Sequence, residues 1–234
     1  MTCWEDDQNR SKCFILDVQQ TGMCVSGYAR LAVPILVGCT LNTPSQETVI
    51  VSPPADTSAD RSIFFHEDDY CQVQLSTAEN LTSLQKEADE ILGFSAEHFD
   101  GSGFSEIKVR EEETHKLAQR RISAEDIETV VLNSGLARFE KVFTGYGSSH
   151  REELLNTKAY GKKGCVIFFD VKDDMVEHIW LDYHWGNSEQ DKDSFRTCLV
   201  EIGQKWNLVL MDWNQLKLVD LSDHSAILAY LNAK

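Results

Sequence analysis

Proline is scarce in this chain, and all four residues, Pro34, Pro44, Pro53 and Pro54, fall within one short stretch. Beyond that stretch helices and strands can run without its interruption. Long apolar runs are also missing. The longest, Leu31 to Val37 and Leu208 to Met211, fall far short of the roughly 20 apolar residues a membrane helix needs, so no membrane span is expected. The first residues, Met-Thr-Cys-Trp-Glu-Asp-Asp, are acidic where an export signal would be basic and then apolar, which leads to the expectation of a cytoplasmic protein. The seven cysteines, at 3, 13, 24, 39, 71, 165 and 198, include no Cys-x-x-Cys pair, so zinc-ribbon and thioredoxin-type spacings are absent. An odd number also argues against a complete disulfide framework. Such cysteines are expected to be buried thiols in a reducing compartment. Positive charge is in deficit as well: 22 Lys and Arg face 38 Asp and Glu, a formal net charge of −16. A field of that sign repels nucleic acid and anionic membranes and attracts basic proteins, although it also serves solubility alone.

What is present is the composition of an ordinary globular protein, 42% hydrophobic and 26% charged, which excludes a disordered or fibrous chain. Residues 1–60 read as a strand-rich portion containing the prolines and four of the cysteines. Residues 61–234 read as an α+β domain. There, Ile63 to Leu75 is an aromatic, extended stretch interrupted by His66-Glu67-Asp68-Asp69, and Leu81, Leu84, Ala88, Ile91 and Leu92 recur at helical spacing after a possible Ser76/Glu79 cap. Asp100 to Gly103 reads as a turn, Ser105 to Arg110 as a short strand. Ser123 with Asp126 opens a helix that Gly135 can stop. Cys165 to Val171 and Met175 to Trp185 flank Lys172-Asp173-Asp174 as the arms of a β-hairpin. Ser188 precedes a helix with the stripe Phe195, Cys198, Leu199, Ile202 and Trp206. Two further strands surround Asp212-Trp213-Asn214, and Ser222 can cap a last helix. Without regular βαβ alternation, the pattern predicts an antiparallel or mixed sheet with helices packed mainly on one face.

Alternation along Val176 to Trp185 places His178, Trp180, Asp182 and His184 on one face and Ile179, Leu181 and Tyr183 on the other. The second set is expected in the core, the first as a polar, aromatic binding face. Asp182 and His184, about 6 to 7 Å apart along a strand, could reach one metal ion if His66 or Asp69 supplied a further ligand. That spacing lacks the specificity of a zinc-binding helix motif, and no metal or cofactor is expected. The tetrad His66 to Asp69 could hold a hard cation, yet adjacent residues diverge and a solvated edge explains it equally. Gly145-Tyr146-Gly147-Ser148-Ser149-His150 has neither the lysine of a phosphate loop nor the three glycines of a dinucleotide fingerprint, and reads as a turn between a strand and a helix. Trp206, Trp213 and Tyr230 read as core, whereas Trp4 and Trp185, beside acidic or polar residues, have the character of interface anchors.

Between Asp170 and Asp193 eight carboxylates face only Lys172 and Lys192. A basic partner is therefore expected to meet Glu67, Asp68, Asp69, Asp173, Asp174, Glu177, Asp182, Trp185 and Glu189. From Ile63 to Lys234 the chain resembles, in general character, the bacterial immunity proteins of polymorphic toxin systems, chiefly through Phe64-Phe65-His66-Glu67-Asp68-Asp69-Tyr70 and Leu208-Val209-Leu210-Met211-Asp212-Trp213. The resemblance implies a cytosolic protein that binds a cognate toxin, often a basic nuclease, and blocks its active site or an adjacent surface. Two other functions fit the sequence: a metal-assisted hydrolase using Asp182 and His184, and a structural subunit whose charge serves solubility. The cysteine pattern carries its own test. Titration of the denatured, unreduced protein should find seven thiols, and reductant should leave the unfolding midpoint unchanged.

Overall fold

The computed structural model describes residues 61–101, 103–146, 150–183 and 188–233. The expected strand-rich portion over 1–60, with Trp4, lies outside the described residues, as do His184 and Trp185. In chain order the strands are β1 (Ser62–His66), β2 (Val73–Thr77), β3 (Lys141–Gly145), β4 (Glu152–Glu153), β5 (Thr157–Lys162), β6 (Cys165–Lys172), β7 (Met175–Tyr183), β8 (Leu208–Asp212) and β9 (Lys217–Asp220). The helices are α1 (Leu81–His98), α2 (Ala124–Asn133), α3 (Glu189–Trp206) and α4 (His224–Leu231). Six strands form an antiparallel sheet in the order β5-β6-β7-β2-β8-β9. A separate three-stranded sheet, β1-β3-β4, is mixed, with β1 parallel to β3. This is an α+β fold, as the sequence pattern predicts.

Strand alternation divides the large sheet between two covers. Ile167, Phe169, Ile179, Leu181, Leu208 and Leu210 point to a core that they share with Ile127 and Val131 of α2, Phe195, Leu199 and Ile202 of α3, and Ile227 of α4. On the opposite face Val166, Phe168 and Trp180 pack beneath Ile63, Phe65 and Val142 of the small sheet. Further along that face Val209 and Met211 meet Leu84, Ala88 and Ile91 of α1. Three helices thus lie on one face, while α1 and the small sheet cover the other.

Two helix starts match the sequence reading: the Ser123 and Ser188 hydroxyls accept the Asp126 and Asp191 amides. The carboxylates in these first turns also suit the helix dipole. Gly135, at φ +83°, ends α2 in the left-handed conformation that glycine adopts freely. Gly203 serves packing instead, since a Cβ there would overlap Leu221. Four local expectations differ from the structure. Ser76 lies in β2 and donates to Glu113, and a short 3-10 turn over Ala78–Asn80 leads into α1 in place of the Ser76/Glu79 cap. Asp223, one residue past Ser222, caps α4 through the Ser225 and Ala226 amides. Ser105 to Arg110 is not a strand; it runs beside α1, held where Lys108 donates to Glu90 and the Glu111 amide to Glu87. Gly145 leads towards β4, not towards a helix.

The hairpin is formed as expected, with Lys172 opposite Met175 and only Asp173 and Asp174 between. Both have positive φ, 51° and 61°, which identifies a two-residue turn of the type that favours Asn-Gly. Aspartate tolerates this region less well than glycine. Replacing Asp173→Asn with Asp174→Gly should therefore stabilise the protein by about 1 kcal/mol, read as a higher urea midpoint at unchanged slope.

Candidate functional site

The strand β7 was expected to present His178, Trp180 and Asp182 as one open binding face. The structure corrects this at the centre. Trp180 is only 1% exposed, stacked on Phe168 at a ring distance of 5.3 Å and flanked by Tyr70 at 4.7 Å and Phe65 at 5.5 Å. The small sheet removes this face from solvent. Only the ends of the strand, around His178 and around Asp182, reach the rim.

At the His178 end the Tyr70 hydroxyl donates to Asp170 at 2.5 Å, and Thr157 donates to the other Asp170 oxygen at 2.7 Å. His178 Nδ1 lies 3.3 Å from the Tyr70 oxygen and 3.6 Å from Asp170. Burial alone would raise the Asp170 carboxyl, but the donors His178, Tyr70 and Thr157 outweigh it and hold the group below the ordinary aspartate range. Burial, then the nearby Cys71 and Asp170, pushes the Tyr70 phenol far above its ordinary value, so it stays protonated and is no nucleophile.

A second polar group fills the seam between the small sheet and α1. Glu113 accepts from Gln74 at 2.8 Å, from Ser76 at 2.8 Å and from Asn80 at 3.1 Å. Asn80 also donates to the His115 carbonyl and accepts the His115 amide. Burial raises the Glu113 carboxyl, against the opposing pull of Ser76, His178, Arg110 and Asn80. Arg110 lies over the Trp213 ring at 4.7 Å, and burial lowers its guanidinium to about 10. These side chains make a hydrogen-bonded clasp between β2 and the chain after α1. The one hydroxyl that donates to Glu113, that of Ser76, is fully buried. The described thiols, Cys71, Cys165 and Cys198, are buried, and burial raises Cys165 to about 12.

At the other end of β7, Glu67, Asp68 and Asp69 form a 3-10 turn whose start is capped by His66, Nδ1 accepting the Asp68 amide at 3.2 Å. Asp69 and Asp182 approach one another: burial first, then repulsion by Asp182, raises the Asp69 carboxyl. Of the expected partner residues, the structure thus brings Glu67, Asp68, Asp69 and Asp182 together. Asp173 and Asp174 sit in the hairpin turn, and Glu177, the nearest of the three to Asp182, is still five strand positions from it, roughly 17 Å away. Glu189 lies in the first turn of α3, where Lys192 pairs with it at 3.0 Å. Among the described residues no group of three His, Cys, Asp or Glu side chains converges as a metal site. Two surface concavities are lined by residues of α1, Leu81 to Glu90, and by Thr77, Glu79 and residues 115–120. The first uses a single helix face, which cannot enclose a small ligand. No described helix is long and apolar enough to cross a membrane.

Comparison with protein families, with curated proteins and with solved structures finds no match to this chain.

Glu113 and Tyr70 escaped the sequence reading for different reasons. Glu113 ends a Glu-Glu-Glu run that looks like a solvated face, and Tyr70 follows an acidic turn. The buried glutamate carries a pH test. A carboxyl raised in the folded state contributes stability below the ordinary glutamate value of 4.5 and loses it as pH rises through the folded value. Glu113→Gln removes that loss, since Gln74 can turn its amide oxygen to the new NH2. Its melting temperature relative to wild type should therefore rise between pH 4 and pH 7. Glu113→Ala, which strands three donors, should cost about 2 kcal/mol.

Proposed function

We propose that the protein is an acidic binding protein that neutralises a basic protein partner, most concretely a cytoplasmic immunity protein for a cognate toxin domain. The observation that carries the proposal is the rim at the end of β7. There, one short turn places three carboxylates side by side, next to Asp182. Among the described residues no lysine or arginine forms an ion pair with Glu67, Asp68 or Asp69; the one pairing is Asp68 with the neighbouring His66 imidazole, at 3.4 Å. Carboxylates elsewhere are more often neutralised by the fold itself, as in Lys162 with Asp191, Lys172 with Glu177, and Lys205 with Asp126. An uncompensated acidic turn on a chain of net charge −16 steers and holds a cationic surface, and it repels nucleic acid. The satisfied polar groups at Asp170 and Glu113 also favour binding over catalysis.

The test is affinity capture with the full chain from native lysate, identification of what binds, and association kinetics at two salt concentrations. A basic protein is expected, with association that slows as salt rises. Glu67→Gln with Asp68→Asn and Asp69→Asn should slow it by about tenfold, whereas Asp173→Asn with Asp174→Gly should have a smaller effect. Association that is insensitive to salt and to the triple variant would overturn the proposal.

A further inference from the structure

We infer that the open edge of β1 is where a basic partner docks, by adding an extended segment of its own as a fourth strand of the small sheet. This inference rests on the basic-partner proposal and specifies how such a partner is held. The two sheets have four edge strands among the described residues: β1, β4, β5 and β9. An unpaired edge invites a further strand unless it is shortened, charged, bulged or covered. Three of the four are protected in these ways. β4 is two residues long and both are glutamates. Residues 137–139 cover β5, where the Phe139 amide donates to the Ala159 carbonyl and the Gly161 amide to the Ala137 carbonyl. β9 has four residues, begins with Lys217 and ends with Asp220.

Among the described residues β1 has none of these devices. Its sequence, Ser-Ile-Phe-Phe-His, contains no lysine, proline or carboxylate. Its register with β3 runs unbroken over five residue pairs, from Ser62 with Lys141 to His66 with Gly145, and among the described residues β3 is its only strand partner. Ile63 and Phe65 point into the core, while Phe64 and His66 face outward and are only half-buried. An added strand would lie about 4.8 Å from β1. Its inward side chains would extend the apolar layer of Ile63 and Phe65, and its outward ones would lie beside Phe64 and His66. Specificity for charge comes from the end of the strand, because β1 runs directly into Glu67, Asp68 and Asp69. Main-chain hydrogen bonds would supply affinity and the carboxylate turn would select lysine or arginine on the incoming strand.

The probe is the capped peptide Lys-Val-Lys-Val-Lys-Val added to the full chain, with residue-resolved hydrogen exchange and binding titrations at two salt concentrations. The expected result is salt-dependent binding that slows exchange of edge-facing amides within Ser62–His66 by at least tenfold and leaves β9 unchanged. Two versions of the peptide, N-methylated on one or the other set of alternate residues, keep its charge but block opposite edges. One should bind as the parent does and the other at least tenfold more weakly. Equal binding of both, protection at another edge, or β1 amides that are already slow and unaffected by peptide would each overturn the inference. So would absence of peptide binding. If a captured basic partner nonetheless associates in a salt-dependent way, the basic-partner proposal survives that result; if it does not, both fall.

Discussion

The structure depends on burial of both faces of its central strands. Cys165 to Phe169 are five successive residues, none more than 1% exposed, and Trp180 and Ile179 on the neighbouring strand are equally buried. A strand with apolar side chains on both faces needs a cover on each side. Helices α2, α3 and α4 supply one, and the other is divided between α1 and the small sheet. Burying a side chain of this size is worth about 2 kcal/mol, so the layers are held chiefly by these strands. The small sheet is held to the rest chiefly through Phe65 and Val142 over Phe168 and Trp180.

The buried carboxyls lie in the seams this arrangement leaves, and there each accepts hydrogen bonds. Glu113 has three side-chain donors. Asp170 accepts from Tyr70 and Thr157. Asp212, 2% exposed, accepts from Tyr230 at 2.8 Å and from the Gln215 amide at 3.0 Å. Burial raises the Asp212 carboxyl in spite of these donors. Such groups contribute little net stability but fix which elements meet, because leaving any one of them unpaired costs about 1 to 3 kcal/mol. They join β2 to the chain after α1, β6 to the start of β2, and α4 to β8. Perturbed carboxyls arise in structural hydrogen-bond networks as well as in active sites.

Much of the fold was legible in sequence where one local signal sufficed. The hairpin from Cys165 onward, the Ser123 and Ser188 caps and the Gly135 stop each follow from a few adjacent residues. What could not be read that way is the cover on the second face. Alternation assigns Trp180 to the face opposite Ile179, but whether that face is wet depends on residues 63 to 65 and 142, far away in sequence. The unbroken apolar run Cys165 to Phe169 did hold the signal, since a half-exposed strand would alternate with polar residues. The Ser76 cap failed for a related reason: strand β2 extends to Thr77 because it is paired with β8 over five residues. Glu113 gave no signal, for nothing local distinguishes the third glutamate of an exposed run from one that turns inward.

The same long-range logic distinguishes the carboxylates by what each touches within the fold. Asp173 and Asp174 form the hairpin turn, and the Asp174 carbonyl accepts the Ala124 amide at the start of α2 at 2.9 Å. Their charge also lies where that helix dipole favours acids. Asp191 caps α3 with Ser188 and pairs with Lys162. Asp191 thus has a role within the fold, and Asp173 and Asp174 take part in the contact between hairpin and helix even though Asn-Gly would suit the turn better. In the turn after β1 the Asp69 carboxylate accepts the His66 backbone amide, while burial first and then Asp182 raise its carboxyl; among the described residues Glu67 and Asp68 pair with no lysine or arginine. A turn that carries three adjacent carboxylates is one that a cation from elsewhere would relieve, and β1 leads directly into it.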